Sequence, residues 1–169
     1  MQWPNVMRIL QDTPFAVVGA VATRMYAPER HTRDLNVVIL AESAAVARQK
    51  LSQAGWTQTA QLSIGGSSWR SPNGEKIGVL EGREEWWPDA IRGAQQNRDA
   101  QNLPIIPMPY LVLMKFQSGR AIDIADISRM LGQADEDNLN ETRKLFSQYE
   151  VDGMDDLESL IQLGKLEMQ

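Results

Sequence analysis

Cysteine is absent from this 169-residue chain, which excludes a disulfide framework and any thiolate metal site. Histidine is nearly absent as well. His31 stands alone, so a zinc centre rich in nitrogen ligands is excluded and any metal must be a hard, oxygen-bound cation. No stretch approaches the roughly 20 apolar residues of a spanning helix, and MQWPNVMRILQDTPF has no long apolar core behind a basic start. A soluble, cytoplasmic protein is expected, with no membrane partner. Positive charge is also scarce: 17 Lys and Arg against 22 Asp and Glu leave a net charge of -5. That balance argues against a broad basic face for duplex nucleic acid, which binds chiefly through neutralised phosphates. A chain of this length fits one domain, 1–169, around a single core. Its eight methionines read as fillers of core gaps.

What is present is concentrated in Phe15 to Leu40, where a turn at Gly19 and a short helix lead through a basic loop to Asp34-Leu35-Asn36. Two acids in an Asp-x-Asp pattern on a strand share one face and hold oxygen-ligated cations for phosphoryl or nucleotidyl transfer. Here the second position is Asn36, whose amide oxygen can ligate a hard cation but brings no charge.

The remaining pattern describes a sheet followed by helices. Val6 to Leu10 suggests a short helix, Phe15 to Val18 a strand closed by Gly19, Ala20 to Tyr26 a short helix, and Leu35 to Leu40 a strand buried on both faces. Ser43 to Ala54 reads as a helix; Trp56 to Ile64, Ser67 to Arg70 and Lys76 to Leu80 read as shorter strands, with turns at Gly65-Gly66 and Pro72-Asn73-Gly74. Trp86-Trp87-Pro88 opens another helical piece, and Leu103 to Ile106 is a brief strand. Pro109 to Gly119, Ala121 to Leu131, Asn138 to Tyr149 and Met154 to Leu163 then carry helical spacing. The expected class is α/β (α+β), a mixed sheet core over about 14–107 with a helical region over 108–169.

Gly19-Ala20, then Arg30-x-Thr32-x-Asp34-x-Asn36, then Ile77-Gly78-Val79-Leu80 with Gly82, then Tyr110-Leu111-x-Leu113-x-Lys115 with Arg120, Asp123 and Asp126 occur in one order along the chain. In that order the chain resembles the nucleotidyltransferase-fold superfamily of DNA polymerase beta, near its small bacterial abortive-infection-type and minimal nucleotidyltransferase branches. The resemblance covers about residues 14 to 132. It implies that Gly19 and Ala20 form the nucleotide-phosphate turn, that Arg30 and Arg33 contact phosphate, and that Asp34 is the catalytic acid and a magnesium ligand beside Asn36. It also implies a third acid, whose place falls at Gly78. Glu75 and Glu81 lie three residues away, so in a regular strand both point to the opposite face. Two of three expected carboxylates are thus changed, and magnesium is expected to bind weakly or only with nucleotide.

The leading expectation is a nucleotidyltransferase-fold protein with a degenerate metal site, impaired in catalysis and acting as a nucleotide- or partner-binding module, as in a toxin-antitoxin-like or regulatory system. The alternatives are a working magnesium-dependent enzyme moving a nucleoside monophosphate from a triphosphate to a hydroxyl, and a structural protein self-associating through Leu157, Leu160, Ile161 and Leu163. Lys115, Arg120, Asp123 and Asp126 are read as ion pairs locking the helices onto the sheet, and Trp86 and Trp87 as core anchors.

Overall fold

The computed structural model describes residues 5–28, 32 and 34–168. The described residues form five strands, β1 (Phe15–Val18), β2 (Leu35–Leu40), β3 (Thr57–Gln61), β4 (Gly66–Arg70) and β5 (Lys76–Gly82), of which β1 and β2 are the most apolar and β3 is polar and exposed. They make one mixed sheet in the order β1-β2-β5-β4-β3. The central β2–β5 pair is parallel; β1 with β2, β5 with β4 and β4 with β3 are antiparallel. With α1 (Val6–Ile9), α3 (Ala44–Gln53) and α4 (Trp87–Ala94), the sheet makes one compact unit, which runs to Val21 and resumes through Ile106.

Strand pleating divides this sheet into two unlike faces. Leu35, Val37 and Ile39 of β2 share one face with Ile77 and Val79 of β5 and Ser67 and Trp69 of β4, and all seven are buried. The face carrying Asn36, Gly78 and Ser68 is only half-covered: Asn36, Ser68, Leu40 and Leu80 keep partial exposure, and Arg70 and Lys76 are exposed. β2 is buried on both faces at its centre, where Val38 is fully covered on the Asn36 side, as its near-continuous apolar sequence suggests; only Asn36 and Leu40 keep partial exposure, and glycine and serine beside Asn36 place little bulk over that end of the sheet.

Two strand expectations shorten. The run from Trp56 to Ile64 yields only Thr57–Gln61, an exposed edge strand whose register shifts between Gln58 and Ala60. Leu103 to Ile106 is no strand but two isolated bridges, Ile105 to Val17 and Pro104 to Arg98, since Pro104 and Pro107 have no N–H to extend a ladder. Trp86 and Trp87 are both buried, with ring centroids 4.0 Å apart. They anchor the start of α4, as their position beside Pro88 suggests.

α2 (Gly19–Tyr26) leads from β1, and from Ala22 it belongs to a second compact unit. That unit also holds α5 (Met108–Ser118), α6 (Ala121–Gln133), α7 (Glu136–Tyr149) and α8 (Met154–Glu167). Leu111, Val112, Ile127, Met130, Phe146, Leu157 and Ile161 are buried in it. Phe116 meets Phe146 edge-on at 5.1 Å. Leu157 and Ile161, two members of the α8 stripe, are thus covered within the chain, while Leu163 is exposed. Among the described residues no helix is long and apolar enough to cross a membrane.

A buried charge network fastens α5 to α6. Lys115 Nζ donates to Asp123 Oδ1 at 2.7 Å and to Asp126 Oδ2 at 2.9 Å, while Ser118 Oγ and Arg120 Nε each donate to Asp123 Oδ2 at 2.5 Å. These bonds run between two helices of one unit, not from helix to sheet as the sequence suggests. The spacing of the charges along the chain shows that they can pair, but not which element they brace.

Candidate functional site

β1 ends at Val18, which pairs with Asn36, and the chain turns at Gly19 with φ +66°, a left-handed conformation that favours glycine. α2 starts there, with Ala20 half-buried in its first turn. Across the parallel pair, Asn36 lies directly opposite Gly78, so the two residues share the half-open face. A Cβ on Gly19 would meet Asn36 Nδ2 at 3.3 Å, and a Cβ on Gly78 would collide with Asn36 Oδ1. The Asn36 amide is therefore wedged between two glycines. Its oxygen is turned over Gly78, into the place a side chain at residue 78 would need.

Asp34 stands just before β2 and is exposed. Its backbone N–H donates to Thr32 Oγ1 at 3.2 Å, and that hydroxyl approaches Asp34 O at 3.4 Å, a short local clasp that holds the approach to the strand. Among the described residues the Asp34 carboxylate has no hydrogen bond or ion pair. Arg30, His31 and Arg33, the basic loop of the sequence reading, lie outside the described residues. Gly19, Ala20, Asp34 and Asn36 belong to the described part, and the structure gathers Gly19, Asn36 and Gly78 into direct proximity.

Glu81 does not join this group. It lies on the opposite face, register-paired with Ile39, and its side chain is only 6% exposed. Arg48 Nη2 of α3 donates to its Oε1, and Arg83 Nη2 donates to its Oε2 at 2.9 Å. Both carboxylate oxygens are thus engaged by guanidinium groups. Glu75 is elsewhere again, lining a cleft of about 820 Å³ with Arg8, Asp12, Lys50 and Trp56. Among the described residues no three His, Asp or Glu side chains gather in a way that could hold a metal ion. Asp34 supplies a carboxylate two residues before Asn36, which adds a neutral amide oxygen.

Three polar residues on the half-open face escape a motif-based reading. Ser68 of β4 pairs with Gly78 on the side away from Asn36, so Asn36, Gly78 and Ser68 form one row across three strands. One pleat further, Arg70 pairs with Lys76. The signal for all three was present in the turn Pro72-Asn73-Gly74, which closes a hairpin and brings 70 opposite 76; without the register it could not be used.

The fold has known counterparts. It is similar to the antibiotic-resistance factor ANT(2'')-Ia in a solution structure described as revealing substrate-regulated conformation dynamics, at TM-score 0.53 and 10% identity over 96% of this chain and 90% of that one. It is similar also to a crystal structure of ANT(2'')-Ia in complex with adenylyl-2''-tobramycin, at TM-score 0.52 and 11% identity over 97% of this chain and 95% of that one. No protein-family model matches the chain, and no curated protein does.

Proposed function

The chain has the nucleotidyltransferase fold, and from that premise we propose that it is a nucleotide-binding module that holds a nucleoside triphosphate on the half-open sheet face and transfers its nucleotide poorly or not at all. The observation that carries this reading is the packing of Asn36 between Gly19 and Gly78. The Gly19 turn leaves backbone free of side-chain bulk beside α2, which suits the close approach of a phosphate. Asn36 packs against the same turn, and Asp34 stands two residues before Asn36, at the entry to β2.

A two-magnesium centre does not fit these residues. Magnesium takes near-octahedral oxygen ligation, with protein carboxylates helping to offset its charge. Asp34 supplies one carboxylate, Asn36 supplies none, and the space above Gly78 is filled by the Asn36 amide. Glu81, the nearest replacement in sequence, is held by Arg48 and Arg83 on the other face. No transfer step is therefore assigned, and the output of the module is regulatory, through a protein partner or a second copy that reads the nucleotide-bound state. ANT(2'')-Ia, which shares the fold, is known in complex with adenylyl-2''-tobramycin, and a bound nucleotide in this chain is in keeping with that use of the fold.

Calorimetric titration of nucleoside triphosphates tests the binding claim. Saturable binding that is lost in a Gly19→Val variant shown by circular dichroism to remain folded supports the reading. No heat at millimolar nucleotide, with or without magnesium, overturns it.

A further inference from the structure

On the same face as Asn36 and Gly78, the sheet carries an arrangement that its own stability does not call for. Arg70 of β4 and Lys76 of β5 are direct cross-strand partners. Like charges placed directly opposite one another destabilise a strand pair. Both residues are exposed, and neither has a hydrogen bond or ion pair among the described residues that would neutralise it. The neighbouring acids of β5 are placed elsewhere: Glu75 lines the cleft with Arg8 and Lys50, and Glu81 is bound by two arginines on the opposite face.

Their position is fixed by the pleat. Residues 76 and 78 of β5 project to one face, as do 68 and 70 of β4, so the cations lie one pleat from the Asn36, Gly78, Ser68 row. Two residues along a strand span about 6.7 Å and neighbouring strands lie about 4.8 Å apart. Lysine and arginine stems are of comparable length, so a phosphate chain lying over Gly78 is within their range. Leu35 pairs with Ile77, which sets Asp34 beside the same end of the sheet.

We propose that Arg70 and Lys76 supply the positive charge that metal ions would otherwise supply, binding the phosphates of a nucleoside triphosphate directly on the half-open face. This rests on the nucleotide-binding reading above and gives it a recognition chemistry. Where a metal-bearing site sets several carboxylates against divalent cations, this chain has kept one carboxylate, Asp34, and placed two fixed cations beside it. The net local charge favours a polyanion without a metal intermediary. Arg70 offers a planar fork to two phosphate oxygens and Lys76 a point charge, and together they suit adjacent phosphoryl groups. Magnesium, by neutralising the phosphate chain in solution, weakens this binding instead of enabling it.

The test titrates a nucleoside triphosphate and inorganic tripolyphosphate into the full chain, in EDTA and in magnesium, for wild type, Arg70→Gln, Lys76→Gln and Arg70→Lys. Lys144→Gln, an exposed cation of α7, serves as the charge control. Both probes should bind in EDTA, each Gln substitution should weaken them about tenfold or more, Arg70→Lys, which keeps the charge but loses the fork, should fall between wild type and Arg70→Gln, and Lys144→Gln should change nothing. Affinity should also fall as salt rises. Nucleotide binding that appears only with magnesium, or that is equal in wild type and both Gln variants, overturns the proposal while leaving nucleotide binding intact. Tripolyphosphate bound through Arg70 and Lys76 without any nucleotide binding would retain the anion site and sink the nucleotide reading, whereas binding of neither probe overturns both.

Discussion

Asn36 and Gly78 face one another across the parallel β2–β5 pair, with the Asn36 amide oxygen resting where the first side-chain atom of residue 78 would be. The two residues are therefore one structural unit. An acid at 78 requires a different side-chain position at 36, and Asn36 in its present rotamer requires glycine at 78. That mutual exclusion ties the local packing to the chemistry that the face can perform.

Gly78→Ala should cost about 1 to 3 kcal/mol by overpacking, read as a lower urea midpoint with unchanged slope. Asn36→Ala removes the obstructing amide, so the double variant should recover a large part of the loss. A double-mutant cycle with no coupling energy would contradict the contact.

Gly19→Ala places a Cβ on a residue at φ +66° and within 3.3 Å of Asn36 Nδ2. A loss of about 1 to 2 kcal/mol is expected, with Asn36→Ala relieving only the steric share and leaving the backbone share in place.

The Lys115 network should behave as a buried ion cluster. Lys115→Met leaves Asp123 and Asp126 buried without their shared cation, a loss of about 3 to 5 kcal/mol. Burial opposes ionisation of Asp123, but hydrogen bonds from Arg120, Lys115 and Ser118 outweigh it and hold the carboxyl below its usual 3.8. A carboxyl lowered on folding contributes stability that is fully present above the unfolded value and is lost as pH falls through the folded one. Wild type should therefore lose stability on acidification below about pH 4, with a shallower fall in Asp123→Asn. Denaturant midpoints measured across pH 2 to 7 check both statements.

Glu81→Gln separates the two faces of the sheet. It weakens the link to Arg48 and Arg83 and should lower thermal stability while leaving nucleotide affinity at the wild-type value. A coincident loss of nucleotide binding, with the protein still folded, would place Glu81 in the site after all.

The two strands at one edge of the sheet were legible in the sequence because they are short, nearly all-apolar runs. Phe15 to Val18 and Leu35 to Leu40 are found with those limits, and Gly19 marks the turn between β1 and α2. The three-residue separation of Glu81 from Gly78 already put them on opposite faces. What the chain does not announce is long-range register. The shift at Gln58 and Ala60, the reduction of Leu103–Ile106 to isolated bridges, the direction in which Lys115 reaches and the alignment of Arg70 with Lys76 all depend on which strand or helix lies alongside. Local spacing fixes a face; only pairing fixes a neighbour.

Label transfer from an α-labelled nucleoside triphosphate, run with magnesium and with manganese on wild type and Asp34→Ala, measures most directly whether the Asn36–Gly78 packing has closed the site to catalysis. The expected result is bound nucleotide with no label transferred above the Asp34→Ala background. Transfer in wild type that Asp34→Ala abolishes would contradict it and show a working nucleotidyltransferase.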